Sequence, residues 1–277
     1  EMCIRDRSEK VGLMAGDRIV MVNDSLFAGK GLTNEKAMRN LKGPKGSQVK
    51  LGVKRATEKE LLDFTITRGD IPQNTIDAAY MLDDDYGYIQ ISKFGRTTHV
   101  ELLNAIAQLS HEKCKGLIID LRDNPGGWVN DAQSIADIFL DKGTLCYLQY
   151  KNGERYYYRT KDGKVEMQLV ILVNENSASS SEILTGALRD RANAIVVGKK
   201  TYGKGIVQSV VPLSDGSGMQ ITVAQYYTPN GYAVHKQGIT PDVEVDGDNG
   251  MYELGDLTDA QLAKALEVMQ EKLAETK

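Results

Sequence analysis

Val49, Leu51 and Val53 alternate with polar neighbours, and Leu62, Phe64 and Ile66 repeat the pattern. A period of two with one apolar side predicts two half-buried strands. Before them, Arg18-Ile19-Val20-Met21-Val22-Asn23 reads as a short buried strand after a tight turn at Gly12-Leu13-Met14-Ala15-Gly16-Asp17. Thr33 is placed to cap a helix carrying Ala37, Met38 and Leu41, and Gly43-Pro44-Lys45-Gly46 stops it. Gly69-Asp70-Ile71-Pro72 reads as a linker and closes a first unit over residues 8–69.

A second unit follows over residues 73–245. Apolar runs predict strands at 87–92, 116–121, 168–173, 194–198, 207–213 and 219–227. Thr98-x-x-Glu101 has capping-box spacing for a helix through Leu109. Val129, Ala132, Ile135, Ala136 and Phe139 mark a second helix, and Asn152-Gly153 between tyrosine-rich runs predicts a hairpin. Strands alternating with helices predict an α/β core. Residues 246–277 read as a C-terminal helical extension, starting near Thr258-x-x-Gln261 and carrying Leu262, Leu266, Met269 and Leu273.

The 277 residues carry 34 Lys and Arg against 38 Asp and Glu, a net charge of −4 with no basic run, so a nucleic-acid partner is not expected. No apolar stretch approaches the roughly 18 residues of a membrane span. The chain opens on EMCIRDR, and MCIRDR is what a common transposon-based sequencing adapter encodes when read in frame. Residues 1–7 are therefore expected to be a sequencing or assembly artefact and are set aside from the fold. With Cys3 in that stretch, Cys114 and Cys146 remain; they are expected to be free core thiols and do not define a compartment.

Three constellations carry chemistry. Asn176-Ser177-Ala178-Ser179-Ser180-Ser181-Glu182 follows an apolar strand, and Ser179 and Glu182 have capping-box spacing. Ser179 is thus expected at a helix N-terminus, where free amides and the positive dipole end favour an oxyanion; a serine that only caps its helix fits as well. Thr201-Tyr202-Gly203-Lys204-Gly205-Ile206-Val207-Gln208 holds a lysine between glycines, which backbone can approach closely. An ordinary lysine, pKa about 10.4, is only ~0.04% neutral at pH 7, so a lysine base has to fall by about three in pKa, worth about 4 kcal/mol. Burial away from carboxylates would achieve this, with Gln208 orienting the amine; a solvated Gly-Lys-Gly turn is the plain alternative. The spacing is not that of a phosphate-binding loop. The third constellation, Asp120-Leu121-Arg122-Asp123-Asn124-Pro125-Gly126-Gly127, offers glycine amides of the kind that make an oxyanion hole, or an ordinary strand-to-helix turn.

Of His99, His111 and His235, only His235 lies among glycines and is kept as a minor candidate base. No His, Asp or Glu cluster has metal-ligand spacing, and neither a metal nor a cofactor is expected.

Taken in order, LRDNPGG, NSASSSEI, GKGIVQS and GITPDV resemble the carboxyl-terminal processing, or tail-specific, serine peptidases, over residues 8–245. The resemblance implies a PDZ domain over 8–69, lacking its start, and a ClpP/crotonase-like Ser-Lys peptidase core over 73–245. It implies Ser179 as nucleophile, Lys204 as general base, Gln208 as its orienting partner, and an oxyanion hole from Gly126 and Ser180, with Gly127 as a second choice. Asn176 and Ser180 stand where the family usually has glycine and alanine. The implied substrates are the C-terminal tails of proteins, the implied place is the bacterial cell envelope, most simply the periplasm, and a homo-oligomer is compatible. Two other classes compete: a non-catalytic PDZ-bearing scaffold that holds peptide tails, and a crotonase-like acyl-thioester enzyme.

Overall fold

A computed structural model describes residues 8, 11–14, 16–29, 31–69, 74–161, 163, 165–247 and 256–275. The expected artefact at 1–7 and most of the expected linker lie outside the described residues. The chain divides into two compact units, Glu1–Gln73 and Asn74–Lys277.

The first unit holds β1 (Arg18–Val22), β2 (Ser25–Leu26), α1 (Asn34–Leu41), β3 (Gln48–Lys54) and β4 (Leu62–Thr67) in an antiparallel sheet of order β2-β1-β3-β4. Its core is Val22, Val49, Leu51 and Val53, the inward set of the predicted alternation. Thr33 caps α1 as expected, accepting Lys36 N–H at 3.3 Å. Asp17 closes the turn before β1 by accepting Met14 N–H and pairing with Arg55 at 2.7 Å.

The second unit runs β5 (Ile76–Met81), β6 (Tyr86–Ile91), α2 (Thr98–His111), β7 (Gly116–Asp120), α3 (Val129–Phe139), β8 (Gly143–Tyr150), β9 (Arg155–Thr160), β10 (Gln168–Val173), α4 (Ser180–Ala192), β11 (Ile195–Gly198), β12 (Ile206–Pro212), β13 (Gly218–Tyr227), β14 (Val243–Glu244) and α5 (Ala260–Glu275). Six strands form a sheet of order β14-β11-β10-β7-β6-β5, parallel except for β5. Its central strands β10 and β7 are mostly apolar, at residues 169–173 and 117–119, because both faces are covered. Leu117, Ile119, Leu169, Ile171 and Val196 pack toward α2, α3 and α4, while Ile118, Val170, Leu172 and Val197 pack against α5. A second sheet, β12-β13-β8-β9, turns at the expected Asn152-Gly153 hairpin.

Two helix starts differ from expectation. Thr97, not Thr98, precedes α2, and Glu101 leaves the cap to accept Thr75 N–H, Thr75 Oγ1 and Ile76 N–H at 2.7, 2.9 and 3.0 Å. Three donors at the start of β5 outbid one cap amide. At α5 the capping oxygen belongs to Asp259, which accepts Gln261 and Leu262 N–H, rather than to Thr258. The second Asp259 oxygen meets buried Arg122 at 2.6 Å, and Arg122 also holds Asp120 at 2.6 Å, so α5 is fastened to the end of β7. Cys114 and Cys146 are free; Cys146 is buried and Cys114 half-buried. No helix among the described residues is long and apolar enough to cross a membrane.

Candidate active site

Three turns leave the C-terminal ends of the adjacent parallel strands β7, β10 and β11, the edge of an open α/β sheet where ligand crevices form. The middle turn, after β10, carries Ser179.

That turn is locked to the one after β7. Asn174 Nδ2 and Asn176 Nδ2 both donate to Asp123 Oδ1, at 2.9 and 2.7 Å, and Asp123 N–H returns to Asn174 Oδ1 at 2.9 Å. Ala178 N–H and Ser181 Oγ reach Asn124 O at 3.0 and 2.9 Å. Asn124 Nδ2 is anchored on Ile91 O at 2.7 Å.

The serine run sorts itself by hydrogen bonding. Ser177, Ser180 and Ser181 are fully buried and donate their hydroxyls to Leu121 O, Gly127 O and Asn124 O. Ser179 alone is half-buried and open to an incoming group. It stands at φ 58°, ψ −115°, directly before α4. A non-glycine residue in so sparsely populated a region costs about 1–3 kcal/mol and persists only where its surroundings hold it.

Glu182 does the holding. Its Oε2 accepts Ser179 N–H at 2.9 Å, as capping-box spacing predicts. The same oxygen accepts Lys204 N–H at 2.9 Å, while Oε1 accepts Gly203 N–H at 2.7 Å and Thr201 Oγ1 at 2.5 Å. Thr201 Oγ1 in turn accepts Ile239 N–H at 2.7 Å. Four donors offset the cost of burying a carboxylate completely. One side chain thus joins the Ser179 turn to the Lys204 turn. The capping spacing located Glu182, but nothing local in the sequence announced its bonds to the Lys204 turn.

The glycines flanking Lys204 are required by backbone packing. A Cβ on Gly205 would stand 2.3 Å from His235 N, and one on Gly203, at φ +87°, 3.2 Å from Lys236 Cα. Lys236 N–H donates to Gly203 O at 2.8 Å, so residues 234–238 lie directly on this turn. His235 sits in that segment with its Nδ1 buried and without a hydrogen-bond partner among the described residues.

Three of the site residues stand differently from the arrangement the resemblance implies. Lys204 was expected to be buried, but its side chain is exposed. Gln208 was expected to hold the Lys204 amine, but it is exposed and accepts Gln220 Nε2 at 3.0 Å. For Gln208 a bulge between Val207 and Gln208 shifts the register, and β12 and β13 beyond it have solvent on both faces. Gly126 lies against Ser179, since a Cβ there would stand 2.8 Å from Ser179 Cβ and 2.9 Å from Ser180 N. Its amide, expected to face an oxyanion, instead donates to Asn124 Oδ1 at 2.8 Å. Ser180 N–H opens α4 beside it, and Gly127 O is taken by Ser180 Oγ at 2.9 Å. Among the described residues no group of three or more His, Cys, Asp or Glu is arranged to hold a metal.

The site is thus a strained serine between a strand and a helix of an α/β sheet, tied through Glu182 to a Gly-Lys-Gly turn. The family model of peptidase family S41 matches residues 85–245, and the chain belongs to that family of serine peptidases. It is 38% identical over 241 residues to the carboxy-terminal processing protease CtpA of Bacillus subtilis, a match covering 86% of this chain and 51% of that protein. It is 36% identical over 245 residues to the carboxyl-terminal-processing protease of Synechocystis, covering 86% and 56%. Among solved structures, the photosystem II D1 C-terminal processing protease aligns with a TM-score of 0.58 and 32% identity over 86% of this chain and 65% of that one. The chain therefore spans about half the length of these curated relatives.

Proposed function

We propose that this chain carries the site of a serine endopeptidase that cleaves the C-terminal tails of proteins by acyl transfer. The observation that carries the reading is the Glu182 carboxylate shared between Ser179 and Lys204. A helix cap needs only the first bond; a two-residue reaction centre needs both turns held together. Residues 8–69 are read as a PDZ domain that receives the tail, and 73–245 as a ClpP/crotonase-like core, working in the cell envelope.

Lys204 Nζ, uncharged, takes the Ser179 proton as Oγ bonds to the peptide carbonyl carbon. Ser180 N–H steadies the oxyanion from the head of α4; the Gly126 amide joins it on leaving Asn124, with Gly127 as second donor. The C–N bond breaks as Nζ returns the proton to the leaving amine. Water then gives a proton to Nζ as its oxygen bonds to the acyl carbon; the ester bond to Ser179 Oγ breaks, the acid leaves, and Nζ returns the proton to Oγ. Gln208 orients Nζ once it parts from Gln220. A substrate strand lying over Lys204 supplies the dry surroundings that the amine lacks in the structure.

Ser179→Ala and Lys204→Ala are each expected to abolish cleavage of an unfolded protein while leaving the thermal unfolding transition in place. Near-normal turnover by Lys204→Ala overturns the assignment. The exposed Lys204 and the Gln208–Gln220 bond favour one second reading, a non-catalytic scaffold that only holds peptide tails. It predicts binding without cleavage and indifference to Ser179, so the same assay separates the two.

A further inference from the structure

We propose that Trp128 and Tyr202 are substrate-contacting residues that grip large apolar side chains near the bond presented to Ser179, an inference that rests on the peptidase reading. Trp128 follows Gly127, whose carbonyl accepts Ser180 Oγ at 2.9 Å, and Gly126 before it touches Ser179. Tyr202 donates its N–H to Ser177 O at 3.0 Å, and both its neighbours, Thr201 and Gly203, donate to Glu182. Each aromatic residue therefore has its backbone bound into the frame around Ser179. Each ring nevertheless stands in water, 73% exposed for Trp128 and 68% for Tyr202.

Single exposed apolar residues are ordinary. These two are not scattered; they sit on two of the three turns that frame one serine. Trp128 also occupies the N-cap of α3, at φ −80° and ψ 138°, and makes no capping bond. Ser, Thr, Asp or Asn there would satisfy an orphan amide. A position that forgoes its local preference to expose an indole is the kind of exception found at functional sites. Trp and Tyr supply large contact area for two rotatable bonds, which is why they dominate binding hot spots. A polypeptide reaching Ser179 crosses these turns, and such rings favour Leu, Met or Phe side chains over charged or small ones.

Trp128 is the single tryptophan of the chain, so its emission reports this site alone. The full chain carrying Ser179→Ala is titrated with short peptides of equal length and charge, with either Leu and Phe or Ala and Gly at the central positions. A saturable change in Trp128 emission is expected with the apolar peptide and not with the small one. In the otherwise wild-type chain, Trp128→Ala and Tyr202→Ala are expected to raise KM for the apolar peptide about tenfold, with kcat changed far less, and so to narrow the KM difference between the two peptides. If wild type cleaves the apolar peptide but the emission does not move and both variants keep its KM, the proposal is overturned and the peptidase reading stands. If the emission moves with the apolar peptide alone but wild type cleaves nothing, the contact is real and the peptidase reading fails. A chain that neither binds nor cleaves overturns both.

Discussion

The backbone amides of Ser179 and Lys204 donate to one oxygen atom, Glu182 Oε2, each at 2.9 Å. The two nitrogens are therefore no farther apart than two hydrogen bonds laid end to end. Lys204 has a flexible stem of four carbons and an exposed side chain, and the proposed mechanism has rotation about its own bonds bring Nζ to the Ser179 hydroxyl. The geometry reserves the fixed part of the pair for the backbone and leaves the side chain free.

Glu182→Gln tests that bond. The amide keeps the size but turns one acceptor into a donor that faces N–H groups, and the cost is about 1–3 kcal/mol of stability. Because the Ser179 turn then loosens against the Lys204 turn, turnover of a fluorogenic peptide is expected to fall about a hundredfold, with the folded fraction still high. Unchanged kcat in Glu182→Gln would show that the shared oxygen does not set the site.

Gly126→Ala tests the close approach beneath Ser179. The new methyl would stand 2.6 Å from Ala178 O and 2.8 Å from Ser179 Cβ, at φ +95°. Overpacking of this kind costs about 1–3 kcal/mol and pushes Ser179 from its place. Gly153→Ala is the control, with similar φ of +88° and nothing within 4 Å. Both are expected to lower the unfolding temperature, but only Gly126→Ala to remove activity.

Acid acts on the first unit through Asp17. Its hydrogen bonds with the Arg55 guanidinium, and then with Met14 N–H, hold its carboxyl down to about 2 from an ordinary value of 3.8. The pKa is depressed in the folded state, so the stabilisation is fully present above 3.8 and is lost as pH falls through about 2. Amide exchange in β1 and β3 of the full chain is expected to accelerate as pH is lowered across that window, after correction for intrinsic exchange. Asp17→Asn should expose those amides at neutral pH and flatten the dependence; a steep acid response surviving in Asp17→Asn would assign it elsewhere.

Much of the architecture was legible because it is local. The alternation of Val49, Leu51 and Val53, the run Gln168–Val173 and the helical spacing from Val129 each depend on neighbours a few residues away, and each became the expected element. The same holds for the turn chemistry of Asn152-Gly153. Periodicity and turn residues report which face is buried, and that is enough to name strands and helices.

What only the tertiary structure decided depends on partners far along the chain. Glu182 meets Lys204 across 22 positions, and Asp123 meets Asn176 across 53. Gln208 went to Gln220, 12 positions on, because the fold brought that amide within hydrogen-bond reach. Glu101 left its cap for the start of β5 for the same reason. A sequence states which groups can donate or accept, but a hydrogen bond goes to whichever partner folding brings within about 3 Å, and that choice is made in three dimensions.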